Sequence, residues 1–161
     1  MASTMETSAQ RITPFLWFNG NVEEGLKFYT SVFKDSRIGS VSHLDTGAYG
    51  KVTVANFYLN GVEFMILDGG PQFTFNESIS FYVKCETQDE VDHYWEELSK
   101  GGEKSQCGWL KDKFGVSWQI VPDAMVKLMY DSDPEKSKRV MNAMMKMSKM
   151  IIADLEKAYN G

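Results

Sequence analysis

The run Cys107-Gly108-Trp109-Leu110-Lys111-Asp112-Lys113-Phe114-Gly115-Val116-Ser117-Trp118-Gln119-Ile120-Val121-Pro122 decides the fold. Apolar and polar residues alternate on either side of a turn marked by Asp112 and Gly115, which is the pattern of two short strands joined by a hairpin. An earlier segment, Asn60-Gly61-Val62-Glu63-Phe64-Met65-Ile66, has the same glycine-led strand form. The echo predicts a duplicated unit.

Outward from these two segments the chain reads as β-α-β-β-β, twice. Residues 12–18 form an apolar, β-prone strand stopped by Asn19-Gly20-Asn21, and Pro14 suits a strand start or an edge. Asn21 is expected to cap a helix to about Lys34, with Leu26, Tyr29, Val32 and Phe33 on its apolar face. Strands are predicted over 37–44, 51–59 and 62–67, with Asn60-Gly61 as the hairpin turn. The second half repeats this order. A strand covers 78–84, a helix starts at Thr87 or Gln88 and carries Val91, Tyr94, Trp95 and Leu98, and a short strand lies around 103–107 before the hairpin. Matching the helices, Glu24 with Glu90, gives an offset of 66 (90 minus 24), and matching the last strands, Gly61 with Gly115, gives 54 (115 minus 61). Beyond Pro122 a short helical stretch reaches about Tyr130. Ser132-Asp133-Pro134 then starts a helix predicted to run to about Tyr159. Its stripe of Val140, Met144, Met147, Ile151 and Leu155 is expected to pack on the domain or on a second copy.

Composition excludes several classes. The 161 residues suit one domain or two small halves sharing a core. A net charge of −5 with no Lys/Arg stripe argues against nucleic acid as a partner. No apolar run approaches the ~18–20 residues of a membrane-spanning helix. Residues 1–10 are polar, lack the apolar stretch of a signal peptide, and are expected to be a disordered tail. Cys85 and Cys107 read as reduced thiols, so a cytoplasmic protein is expected.

The segments Ile12-Thr13-Pro14-Phe15-Leu16-Trp17-Phe18-Asn19-Gly20-Asn21, Glu23-Glu24, Phe28-Tyr29, Val32-Phe33, Asn60 to Phe64, Ile79-Ser80-Phe81 and Trp109 to Val121 resemble the vicinal oxygen chelate superfamily, the glyoxalase/bleomycin-resistance/dioxygenase fold. Within it they resemble the PhnB-like branch, often labelled a 3-demethylubiquinone 3-methyltransferase domain. The resemblance implies an α+β fold: two βαβββ modules, about 11–70 and 78–122, forming an open cup-shaped sheet, with a C-terminal helical appendage over 123–161. It also implies a homodimer.

Enzymes of this superfamily hold a divalent metal through one ligand from the first strand and one from the last strand of each module. Counting the two offsets onto this chain puts the four positions at Pro14, Met65, Ser80 and Gln119. Proline has no donor, and the others are poor ligands for Zn²⁺ or Fe²⁺. No metal site and no cofactor are therefore expected. By strand alternation from those positions, Leu16, Phe18, Met65, Ser80, Tyr82 and Gln119 line the cup, an apolar surface with a few polar groups. His43, Glu63 and Trp109 are added as further ligand-contacting candidates, and no residue is assigned a catalytic role. Cys107 is expected to be a packing thiol, Asp112 a turn cap and His93 a helix-surface residue. The methyltransferase label finds no support in the residues: the glycines needed for close cofactor approach after the first strand are missing, and a doubly wound parallel sheet is not predicted. The expected function is a binding protein for a small apolar or aromatic molecule. Two alternatives are a metal-dependent lyase or oxygenase built on His43 and Glu63, and a drug-sequestering protein of the bleomycin-resistance type.

Overall fold

The computed structural model describes residues 9–161. Backbone contacts divide the chain into two compact units, the first ending at Thr74 and the second spanning Phe75–Gly161. Of the tail expected at 1–10, residues 1–8 lie outside the described residues. Gln10 is tied to the first unit: its side-chain amide donates to Glu63 O (3.1 Å) and accepts from Glu63 N–H (3.0 Å).

The first unit runs β1 (Phe15–Phe18), α1 (Val22–Val32), β2 (Ser36–Asp45), β3 (Lys51–Leu59) and β4 (Val62–Asp68), with a 3-10 turn at Gly47–Tyr49. Its sheet has the order β1-β4-β3-β2. β1 is parallel to β4, and the other pairs are antiparallel. Period-2 burial along β3 and β4 puts Ala55, Phe57, Leu59, Phe64 and Ile66 against the apolar stripe Leu26, Tyr29 and Val32 of α1. Tyr29 stacks on Phe57 at 5.7 Å between centroids, and Phe57 on Phe64 at 5.3 Å. Asn21 precedes α1 in the left-handed region (φ 59°) and its side chain does not cap the helix, contrary to the expectation. Asp68 Oδ1 instead accepts from Gly20 N–H (2.6 Å).

The second unit repeats the order: β5 (Ser80–Cys85), α2 (Gln88–Ser99), β6 (Glu103–Lys104), β7 (Trp109–Lys111) and β8 (Ser117–Pro122), with the sheet order β5-β8-β7-β6. Thr87 caps α2, its hydroxyl accepting from Glu90 N–H (3.2 Å). Val91, Trp95 and Leu98 of α2 are buried, as are Val83, Cys85, Leu110, Trp118 and Ile120 of the sheet. Asp112 holds the β7–β8 turn. Its buried carboxylate accepts from Phe114 N–H (2.9 Å), Val116 N–H (3.1 Å) and Trp118 Nε1–H (2.9 Å).

Three helices follow: α3 (Asp123–Met129), α4 (Pro134–Met144) and α5 (Ile152–Asn160). The single helix predicted from Pro134 to Tyr159 is thus broken after Met144. The start is as read, with Asp133 Oδ1 capping Glu135 N–H (2.9 Å). The break has a tertiary cause. Carbonyls that would continue the helix are taken by the loop ahead of β7, Met147 O by Cys107 N–H (2.8 Å) and Ser148 O by Gly108 N–H (2.8 Å). Gln88 grips both sides of Met150–Ile152, donating to Met150 O (3.1 Å) and accepting from Ile152 N–H (2.8 Å). Val140 and Leu155 of the predicted stripe do pack inward, in one cluster with Val121 and Met125.

Candidate functional site

Each sheet packs one face on its helix and leaves the other open, and the pairing register says which side chains lie where. Phe15 is opposite Met65 and Trp17 opposite Leu67, whereas Leu16 is opposite Ile66. Leu16 and Phe18 are buried with Phe64 and Ile66 under α1. A Cβ added to Gly25 of that helix would come within 2.7 Å of the Phe18 ring, so the close approach requires glycine. Leu16 and Phe18, expected as lining residues, therefore belong to the core. Phe15, Trp17, Asn56, Tyr58, Glu63, Met65 and Leu67 share the open face.

The cause is one residue. Asn19-Gly20-Asn21 joins strand to helix in the first unit, but only Glu86-Thr87 does so in the second. The helices are offset by 66 (88 minus 22), while the strands are offset by 67 (82 minus 15), since Phe15 lies opposite Met65 as Tyr82 lies opposite Gln119. A slip of one inverts the faces of a strand. The first-unit partner of Ser80 is then Thr13, not Pro14.

His43 and Glu63 do not meet. His43 pairs with Thr53, its Nδ1 3.0 Å from Thr53 Oγ1, and Thr53 alternates onto the helix-facing side with Ala55 and Phe57. Glu63 pairs with Tyr58 on the open face. Opposite faces and five residues along β3 (58 minus 53), about 16 Å, keep them from one ion.

Glu63 belongs to a hydrogen-bonded polar group. Asn56 Nδ2 donates to Glu63 Oε1 (3.0 Å) and to Tyr58 OH (3.2 Å), and Tyr58 OH donates to Glu63 Oε1 (3.4 Å). Asn56 Oδ1 accepts from Ser40 N–H (2.6 Å) and Ser40 Oγ–H (2.9 Å). The β2 backbone reaches it through a register shift between Ile38 and Val41. A Cβ on Gly39, inside that shift, would collide with Asn56 Oδ1. The Arg37 guanidinium lies 3.9 Å above the Tyr58 ring. A hollow of about 640 Å³ lies along the same unit, bordered by Trp17, Tyr49, Val52, Leu67 and Gln72.

In the second sheet the register places Ser80, Tyr82, Trp109 and Gln119 on one open face, together with Lys111 and Ser117. Gln119 Nε2 donates to Ser80 Oγ (2.9 Å). Lys111 pairs with Glu77, which raises the lysine's pKa and lowers the carboxylate's, chiefly through the hydrogen bond between them. Tyr82 is raised by burial and then by the charge of Asp123. A hollow of about 470 Å³ is bordered by Glu77, Glu103, Cys107, Trp109, Lys111 and Ser117. Cys107 is half-buried there in the left-handed region (φ 57°), in a loop ahead of β7. Its thiol faces Met144 O at 3.7 Å. Cys85 is fully buried, and desolvation pushes its thiol up to about 12. Val121, on the same side of β8 by alternation, is 3% exposed and packs with Met125, Val140 and Leu155.

Corrected for register, the four positions that the resemblance assigns to metal ligands hold Thr13, Met65, Ser80 and Gln119. They offer no imidazole and no carboxylate, and the Gln119 amide N–H is turned onto Ser80. This donor set does not fit Zn²⁺ or Fe²⁺. Among the described residues, no three His, Cys, Asp or Glu side chains gather as a metal site.

The family described as 3-demethylubiquinone-9 3-methyltransferase matches residues 10–121. A PhnB protein of Bacillus cereus carrying that description is 40% identical, with a TM-score of 0.64, over 70% of this chain and 99% of its own. The chain belongs to this family. A Pseudomonas aeruginosa protein is 20% identical, with a TM-score of 0.59, over 71% of this chain and 98% of its own. The fosfomycin resistance protein FosX of Mesorhizobium loti is 16% identical, with a TM-score of 0.52, over 70% and 90%. At those identities the likeness concerns the fold, which is that of the vicinal oxygen chelate superfamily. None of the curated proteins matches the chain. The PhnB-like match ends before α3, so α3, α4 and α5 are additions to the family domain.

Trp17, Leu67, Asn56, Tyr58, Lys111 and Ser117 were not anticipated as open-face residues. The length difference between Asn19-Gly20-Asn21 and Glu86-Thr87 is the signal that would have moved the first strand by one. Ser117 and Lys111 follow from alternation along the hairpin itself.

Proposed function

We propose that this PhnB-like protein binds a small, mostly apolar or aromatic molecule on the open faces of its sheets, without a catalytic metal at the family's ligand positions. The observation that carries this reading is the second sheet's open face. There Tyr82 and Trp109 flank Gln119, and Gln119 is hydrogen-bonded to Ser80 where a metal-dependent relative needs ionic or imidazole donors. Aromatic surface with a few placed polar groups is the composition of a small-molecule site. Trp17, Met65 and Leu67 give the first sheet a similar surface. Methyl transfer is not part of the proposal. Neither sheet is the doubly wound parallel type that carries a glycine-rich cofactor turn. The protein is further proposed to be a cytoplasmic homodimer. Among the described residues, no helix is long and apolar enough to cross a membrane.

Metal analysis of the purified protein, combined with titration by a panel of aromatic compounds, tests the reading. Substoichiometric metal and saturable aromatic binding are expected. Stoichiometric Zn, Mn, Ni or Fe that supports turnover would overturn it. Sedimentation analysis gives the oligomeric state directly.

A further inference from the structure

Among the described residues, Ser117 Oγ is a buried side-chain oxygen with no hydrogen-bond partner, and Ser117 is only 2% exposed. A buried hydroxyl left unpaired is destabilising, so it calls for a reason. Internal duplication supplies one. The residue matching Ser117 in the first unit is Glu63 (117 minus 54), and Glu63 is bonded by Asn56 and Tyr58. By register, Asn56 opposite Met65 corresponds to Trp109 opposite Gln119, and Tyr58 opposite Glu63 corresponds to Lys111 opposite Ser117. Both partners have therefore been exchanged. Trp109 presents an indole, and Lys111 is turned to Glu77. Ser117 is left bordering the hollow of about 470 Å³.

We propose that this hollow takes an uncharged, planar aromatic molecule bearing a hydroxyl group. The hydroxyl bonds Ser117 Oγ and the ring lies along Trp109. The proposal rests on the reading of the open face as a small-molecule site. The charged side chains at the border, Glu77, Glu103 and Lys111, sum to one negative charge, and the one cation among them is paired. Nothing there offsets the charge of an anionic ligand, so carboxylates and phosphates are disfavoured.

The test uses the full chain, isotopically labelled, titrated with naphthalene, 2-naphthol and 2-naphthoate while amide and indole resonances are followed. The expected result is that 2-naphthol binds about fivefold tighter than naphthalene, the effect of one hydrogen bond, and that 2-naphthoate binds weakest. Shifts should centre on Ser117 and the Trp109 indole. Ser117→Ala should abolish the naphthol preference, leave naphthalene affinity unchanged and hold or raise the thermal midpoint, because an unpaired buried hydroxyl has been removed. Trp109→Ala should weaken naphthalene and 2-naphthol alike. If S117A keeps the naphthol preference, or clearly lowers the midpoint, the role of Ser117 falls while aromatic binding stands. If no probe perturbs either open face, both readings fall together.

Discussion

The two units share one backbone plan and fill it with different chemistry. In the first, Asn56, Tyr58 and Glu63 bond to one another on the open face, and a bulge at Gly39 delivers Ser40 to close the group. In the second, the matching Trp109, Lys111 and Ser117 make no such group. At the end of the last strand, Leu67 borders a hollow, whereas its counterpart Val121 is sealed by α3, α4 and α5. Duplication thus repeats register and core faithfully, because both follow from period-2 and period-3.6 patterns of apolar residues. The open face is free to diverge because neither α1 nor α2 packs on it.

The sharpest contrast is between the two hairpin turns. Asp112→Ala removes its buried bonds to Phe114, Val116 and Trp118, so a loss of about 3–5 kcal/mol is expected by chemical denaturation. Asn60, in the matching turn, contributes a left-handed backbone (φ 49°). Asn60→Ala should cost about 1 kcal/mol. Equal losses would break the contrast.

Next in size is Gly39→Ala. Its methyl collides with Asn56 Oδ1, and about 1–3 kcal/mol is expected. Faster amide exchange confined to β2 and β3 would place the damage in the first unit. Exchange that rises equally in β7 and β8 would deny that the polar group belongs to one unit.

Gln88→Ala should cost about 1–2 kcal/mol through the two bonds it makes to Met150 and Ile152. Amide exchange in α5 should rise well before that in α1. The same appendage carries a pH signature. Asp131 is held below the usual carboxylate range by Asp133 N–H and then Tyr159 O–H, and Asp92 by Lys149 and then Gln88. A depressed folded pKa contributes stability that is complete above the unfolded value, near 4, and is lost as pH falls through the folded one. Protection of α5 should therefore hold from neutral pH down to about pH 4 and decline below it. Asp92→Asn together with Asp131→Asn should flatten that decline.

The smallest effect is one of reactivity. Cys85, buried with its thiol pushed up to about 12, should resist alkylation in the native state, while half-buried Cys107 reacts. Mass spectrometry after limited labelling reads both sites.

Much of this was legible in the chain. Strand and helix order, both turns and the capping of α4 by Asp133 follow from local residue types and alternation. The face of β1 was misread because a helix offset was carried across a connection one residue longer in the first unit, and strands cannot absorb a shift of one. That error placed Leu16 and Phe18 on the open side. His43 went astray for a related reason, since the register shift at Gly39 sets which face the rest of β2 presents.

The sequence by itself determined the duplicated βαβββ order and the apolar faces under α1 and α2, because these depend on neighbours in the chain and on residue identity. Tertiary structure alone decided that the helix after Pro134 stops at Met144, where Cys107, Gly108 and Gln88 engage backbone groups that a continuous helix would keep for itself. It alone decided that Glu63 is satisfied and Ser117 is not. Such pairings depend on cross-strand neighbours, which an amino-acid string does not bring together.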